Sequence, residues 1–92
     1  MQIRWSPAAA RDLVGIGEYI AQENQSAARR IVKAIYDAAA ALTSYPYRGR
    51  LGRVEDTREL PLPPLPFVLV YRIAKDVIEI ANVVHGAQKW PP

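Results

Sequence analysis

The chain has no cysteine and a single histidine, His85. Without thiols there are no disulfides and no thiolate chemistry, which fits a reducing compartment. One histidine without clustered carboxylates offers too few ligands for a metal, and no cofactor is expected. Long apolar runs are missing too: nothing approaches the roughly 20 residues of a membrane span. Met1-Gln2-Ile3-Arg4-Trp5 does not open a signal peptide, because a polar helix pattern follows at once. These absences predict a cytoplasmic protein without membrane contact. Arg48-Gly49-Arg50-Leu51-Gly52-Arg53 is too short and irregular for a phosphate-cradling loop. It also lacks the Lys-Ser/Thr pair that would follow the glycines. No internal repeat, linker or low-complexity tail interrupts the 92 residues, so a single domain, 1–92, is expected.

Half of the residues are hydrophobic, enough for one small core, and the net charge is +3. The positive excess is local. Arg48, Arg50, Arg53 and Arg58 crowd one segment, interrupted only by Glu55 and Asp56. Such a patch suits an anionic partner, either nucleic acid or an acidic protein surface, and it equally suits a solvated loop.

The last third of the chain organises the rest. Phe67-Val68-Leu69-Val70-Tyr71-Arg72-Ile73 is apolar on both faces, which predicts a central strand covered on two sides. Val77 to His85 follows after Ala74-Lys75-Asp76, a break of hairpin length. Thr57 to Leu62 alternates, with Leu60 and Leu62 on one face and Pro61 suited to an edge or a strand end. At the other terminus Gln2-Ile3-Arg4-Trp5 reads as a short strand, and Ser6-Pro7 supplies a cap and first turn. Ala9, Leu13, Ile16 and Ile20 form one apolar stripe. Gly15 and Gly17 weaken that helix and allow close approach of its neighbour. Asn24 or Ser26 caps a second helix whose stripe runs through Ala28, Ile31, Ile35, Ala38 and Leu42. Gly49 and Gly52 favour positive φ and a compact turn. The order β-α-α-β-β-β predicts an α+β layer, a helical hairpin packed on one face of a mainly antiparallel sheet.

Several segments together resemble the RelE/ParE toxin superfamily: Trp5-Ser6-Pro7, Asp12-Leu13, Tyr19-Ile20-Ala21, Ala27-Ala28-Arg29, Gly49-Arg50, Thr57-Arg58-Glu59-Leu60, Phe67 to Arg72, Val83 to Ala87, and Trp90-Pro91. The resemblance covers nearly the whole chain and is of the ParE type. It implies the compact RelE-like fold and the toxin of a type II toxin–antitoxin pair, bound and neutralised by a small antitoxin protein. Two activities occur in the superfamily: ribosome-dependent cleavage of messenger RNA, and inhibition of DNA gyrase without hydrolytic chemistry. RelE-like nucleases carry an arginine after the tyrosine that opens the third strand; here the pair reads Phe67-Val68. A long basic C-terminal helix is also absent. Both departures favour gyrase inhibition over endonuclease action. A third possibility is a non-toxic relative acting with its antitoxin as a co-repressor.

Candidate residues follow. As a gyrase inhibitor the chain would meet its target through Arg50, Arg53, His85, Lys89 and Trp90, with no catalytic residue. As a metal-independent endoribonuclease it would use His85 as acid or base, with Arg50, Arg53 and Lys89 stabilising the phosphate. Each has a structural alternative. His85 can fix the tail by hydrogen bonds. Arg50, Arg53 and Arg58 can be taken up internally, for example Arg58 or Arg50 pairing with Glu59, Glu55 or Asp56, and Arg58 is read as structural because it lies in a strand beside Glu59. Trp90 can fold back over a core edge. Tyr71 is read as core. The antitoxin would line Trp5, Leu13, Ile16, Tyr19, Ile20, Ile35 and Tyr36, residues that also serve the core.

Overall fold

Ser6 starts the first helix as its chemistry dictates. Its hydroxyl accepts from the Ala9 amide at 3.0 Å and donates to the Ala81 carbonyl at 2.8 Å. The cap therefore also ties the helix to the last strand. In the computed structural model, which describes residues 1–92, β1 (Gln2–Trp5) leads into α1 (Pro7–Ala21) and α2 (Gln25–Ala41). Four strands follow: β2 (Arg50–Leu51), β3 (Arg58–Pro61), β4 (Phe67–Ala74) and β5 (Val77–His85). Asn24, rather than Ser26, caps α2, accepting from the Ala27 amide at 2.9 Å.

The sheet order is β1-β5-β4-β3-β2. Neighbours are antiparallel except for β1 and β5, which run parallel. The architecture is α+β, with both helices against one face. The sheet is mainly antiparallel, as expected, with β1–β5 its one parallel pair. One detail of the strand order differs from the sequence reading: the glycine loop contributes a two-residue edge strand, β2. Gly49 and Gly52 also have no positive φ; Asp56 and Lys75 do. The two glycines are needed for space. A Cβ on Gly49 would lie 2.8 Å from the Tyr71 ring and hydroxyl, and one on Gly52 would lie 2.2 Å from Thr57 Oγ1.

The pleat sends β4 side chains to two faces. Phe67, Leu69 and Tyr71 join Ile35, Ile78 and Ile80 beneath the helices, while Val68, Val70 and Val84 form a smaller cluster on the opposite face. The two-sided burial expected for this strand is present. A bulge at Ala81 lets Val70 pair with Asn82 and Tyr71 with Ile80. Beyond Trp5, β1 no longer covers β5. There Asp12 of α1 accepts from the Val83 amide at 2.9 Å and from Asn82 Nδ2 at 3.2 Å, so it takes over the edge. No helix is long and apolar enough to cross a membrane.

Candidate functional site

The sheet face away from the helices carries Arg4, Arg50, Arg53 and Arg72, while Arg58 of β3 lies opposite Tyr71 on the helix side. Strand register sets this pattern: Arg50 lies opposite Glu59, Arg4 opposite Glu79, and Arg72 opposite Glu79. Two carboxylates each hold two arginines. Glu59 accepts from the Arg53 amide at 2.9 Å, from Arg53 Nη2 at 3.1 Å and from Arg50 Nη2 at 3.2 Å. Glu79 accepts from Arg72 at 3.0 Å and from Arg4 at 3.4 Å.

Glu59 is only 1% exposed. Burial by itself pushes its carboxyl up. The hydrogen bonds from the Arg53 main chain and side chain and from Arg50 outweigh that and hold it below the usual carboxylate range. Arg58 acts differently: its guanidinium donates to the Gly49 carbonyl at 2.7 Å and the Tyr47 carbonyl at 3.3 Å, and it sits 5.0 Å from the Tyr47 ring centroid. Tyr71 is fully buried. Its hydroxyl donates to the Pro46 carbonyl and accepts from the Gly49 amide, both at 2.8 Å.

The C-terminal tail returns across this face. Trp90 packs against Val68, Val70 and Val84, and its carbonyl accepts from Arg53 Nη1 at 3.1 Å. Its indole Nε1 is buried without a partner. Glu59, Arg53 and Trp90 thus form a chain of contacts from core to tail. Lys89 beside it is exposed, with no ionic or hydrogen-bond partner.

His85 sits elsewhere. It pairs with Phe67, its ring meeting that ring edge-on at 5.7 Å, and Phe67 belongs to the helix side. Its Nδ1 accepts from the Ala87 amide at 3.0 Å, so the ring also shapes the start of the tail. The structure therefore gathers Arg50, Arg53 and Trp90 on one face and sets His85 on the other. No group of three or more potential metal-ligating side chains is present.

The other candidate surface lies on the hairpin. Trp5 and Tyr36 stack with centroids 5.9 Å apart and planes 8° from parallel. Tyr19 and Tyr36 are exposed, while Leu13, Ile16 and Ile20 are half-buried. Ile35 corrects the sequence reading. It points from α2 into the core, completely buried, and supports this surface without lining it.

The sequence did not single out the Arg4–Glu79–Arg72 trio, nor the role of Asp12. Alternation in β1 and β5 could have placed Arg4 and Glu79 on one face, but only once those strands were known to be neighbours.

The two-helix layer on a small, mainly antiparallel sheet is a fold shared with toxin–antitoxin proteins. A solved chain described as the chromosomal ParDE toxin–antitoxin system from P. aeruginosa superposes with a TM-score of 0.84 at 26% identity, covering 92% of this chain and 95% of that one. A Sinorhizobium fredii protein named as a toxin, Y4kP, is 47% identical over 90 residues, covering 98% of this chain and 93% of the relative. Toxin RelE2 of Caulobacter vibrioides is 37% identical over 87 residues, covering 95% and 97%. The model of the ParE toxin of the type II toxin–antitoxin system parDE matches residues 3–90, and the chain belongs to that family.

Proposed function

We propose that this ParE-family toxin inhibits DNA gyrase as a binding poison without hydrolytic chemistry of its own, and that a cognate antitoxin neutralises it in a hetero-oligomer. One observation carries the choice of target: His85 lies on the opposite face of the sheet from Arg50, Arg53 and Trp90. Metal-free RNA cleavage needs acid, base and cations converging on one phosphate. Support also comes from Val68, which stands where RelE-like nucleases carry an arginine and is buried under Trp90. The surface offered to gyrase is the outer side of Arg50 and Arg53, with Lys89 and Trp90 beside them and His85 at the sheet's end. The antitoxin surface is the hairpin region around Trp5, Leu13, Ile16, Tyr19, Ile20 and Tyr36, over the buried Ile35. The P. aeruginosa chain described as part of a ParDE system supports an antitoxin partner.

The test pairs two assays on purified protein. Loss of gyrase supercoiling with accumulated linear DNA, beside intact message in a translation reaction, is the expected result. Cut message with unaffected gyrase would overturn it. A second reading, ribosome-dependent endonuclease action, is favoured by one observation, the relative named RelE2. In that case His85→Ala abolishes message cleavage.

A further inference from the structure

The sheet ends at β2, and this edge is open at one residue. Arg50 pairs with Glu59 and Leu51 with Arg58. In the same register Gly52 falls opposite Thr57, and its amide donates to the Thr57 carbonyl at 2.8 Å. Bonded and unbonded positions alternate along an antiparallel pair. Gly52 and Arg50 therefore bond inward to β3, and the main chain of Leu51 turns outward. On either side of it the amides are engaged. Gly49 donates to the Tyr71 hydroxyl at 2.8 Å and Arg53 to Glu59 at 2.9 Å. Between Gly49 and Arg53, Leu51 alone turns a free N–H to solvent.

Sheet edges are usually blunted by charge or proline. Here the open position carries a leucine that is 78% exposed. Its side chain borders a trough of about 390 Å³, lined also by Tyr47, Val54, Arg58 and Ile73, and Tyr47 is 65% exposed. The two ends of the edge carry unlike charges. Arg48 stands before β2, and Glu55 and Asp56 stand after it, at the tip of the β2–β3 connection. All three are exposed, and none of their side chains has an ionic partner, whereas Arg50 and Arg53 are held by Glu59.

We infer that β2 pairs with β2 of a second copy of this chain, antiparallel, about a two-fold axis at Leu51. With Leu51 opposite the partner's Leu51, the two residues exchange both main-chain bonds. Directly opposed side chains share a face, so the leucines meet on the trough side. Counting outward, Arg50 comes opposite the partner's Gly52, which has no side chain, and like charges are kept apart. Arg48 comes toward the partner's Glu55 and Asp56, and the symmetry repeats the match at the other end. A copy laid parallel would set like charges together. The two five-stranded sheets become continuous, with their outer faces side by side. Two main-chain bonds, two leucines and two ion clusters make a small interface, so a reversible dimer is expected, with a dissociation constant on the order of 10–100 µM. The inference does not depend on which target the toxin attacks.

Sedimentation equilibrium of the purified chain, loaded from about 5 to 500 µM, tests this. A monomer–dimer equilibrium that weakens with salt is expected. Leu51→Glu sets two carboxylates opposite each other and should raise the dissociation constant by about tenfold or more. The decisive pair is Arg48→Glu and Glu55→Arg. Each variant alone brings like charges together at both ends and should dimerise more weakly. An equimolar mixture restores unlike charges at both ends and should dimerise about as tightly as the wild type. These side chains are exposed and unpaired, so melts of the dilute variants should match the wild type. A chain still monomeric at the highest loading would overturn the inference and leave the edge to a strand of another protein. So would a dimer untouched by Leu51→Glu, which would be built on another surface, or a mixture as weak as its components.

Discussion

Glu59 is the one charged side chain buried inside the protein, and its ionisation links stability to pH. Its folded-state carboxyl lies below the ordinary value of 4.5. Stability from the Arg50 and Arg53 bonds is therefore fully present above that pH and declines as pH falls through the folded-state value. Glu59→Gln should be less stable than wild type in urea melts at pH 7. The gap should narrow below about pH 4.5 as the wild-type carboxyl takes up its proton. A gap that stays constant across the acid range would contradict the linkage. At Tyr71 the hydroxyl serves two main-chain groups of the Pro46–Gly49 turn. Tyr71→Phe strands both, and a loss of about 1–3 kcal/mol in chemical denaturation is expected.

Among the elements, α1 offers a contrast between two glycines two residues apart, on nearly opposite sides of the helix. A Cβ on Gly15 would meet nothing within 4 Å, whereas one on Gly17 would press Val32. Gly15→Ala should raise stability by about 0.5–1 kcal/mol through helix propensity and a less flexible unfolded chain. Gly17→Ala should gain less or lose, and equal gains at both would show the helices pack more loosely than described. The helices were legible in the sequence because caps and stripes are local: Ser6-Pro7, the Asn24-to-Ser26 break and the four-and-three spacing mark them, and the structure chooses Asn24 over Ser26 as the second cap. β4 was legible because a strand buried on both faces has no polar alternation. The parallel β1–β5 pair was not, since nothing local says which distant edge a four-residue strand will join. β2 was hidden for a related reason: two residues carry no periodicity, and only β3 beside them makes them a strand. The glycine loop was read as needing unusual dihedral angles, while its real constraint is the Tyr71 and Thr57 side chains arriving from elsewhere in the chain.

At the scale of the molecule, tail position and target binding can be separated. Lys89 is exposed and unpaired, so on the proposed gyrase target Lys89→Ala should reduce inhibition without moving the melting temperature. Undiminished inhibition would remove the tail's charge from the contact. Arg53 holds the Trp90 carbonyl, so in a Trp5→Phe background Arg53→Ala should increase quenching of Trp90 fluorescence by acrylamide. Unchanged quenching would mean that apolar packing alone keeps the tail down. The candidate site was partly legible. Arginine clustering pointed to Arg50 and Arg53, and the structure joins both to Glu59. The separation of His85 from them could not be read, because the bulge at Ala81 reverses which β5 residues face the helices.

One consequence follows from the parallel pair. The first strand is laid beside the last, with Gln2 opposite Val77, so the sheet is not closed until the end of the chain exists. A ribosome that stalls before Val77 leaves β1 without a neighbour and β4 bare along one side. Long-range pairing of this kind delivers its stabilisation only when both ends are present. Interrupted synthesis should therefore yield fragments for proteases, not a weaker toxin, and a folded sheet exists only once β5 has been made.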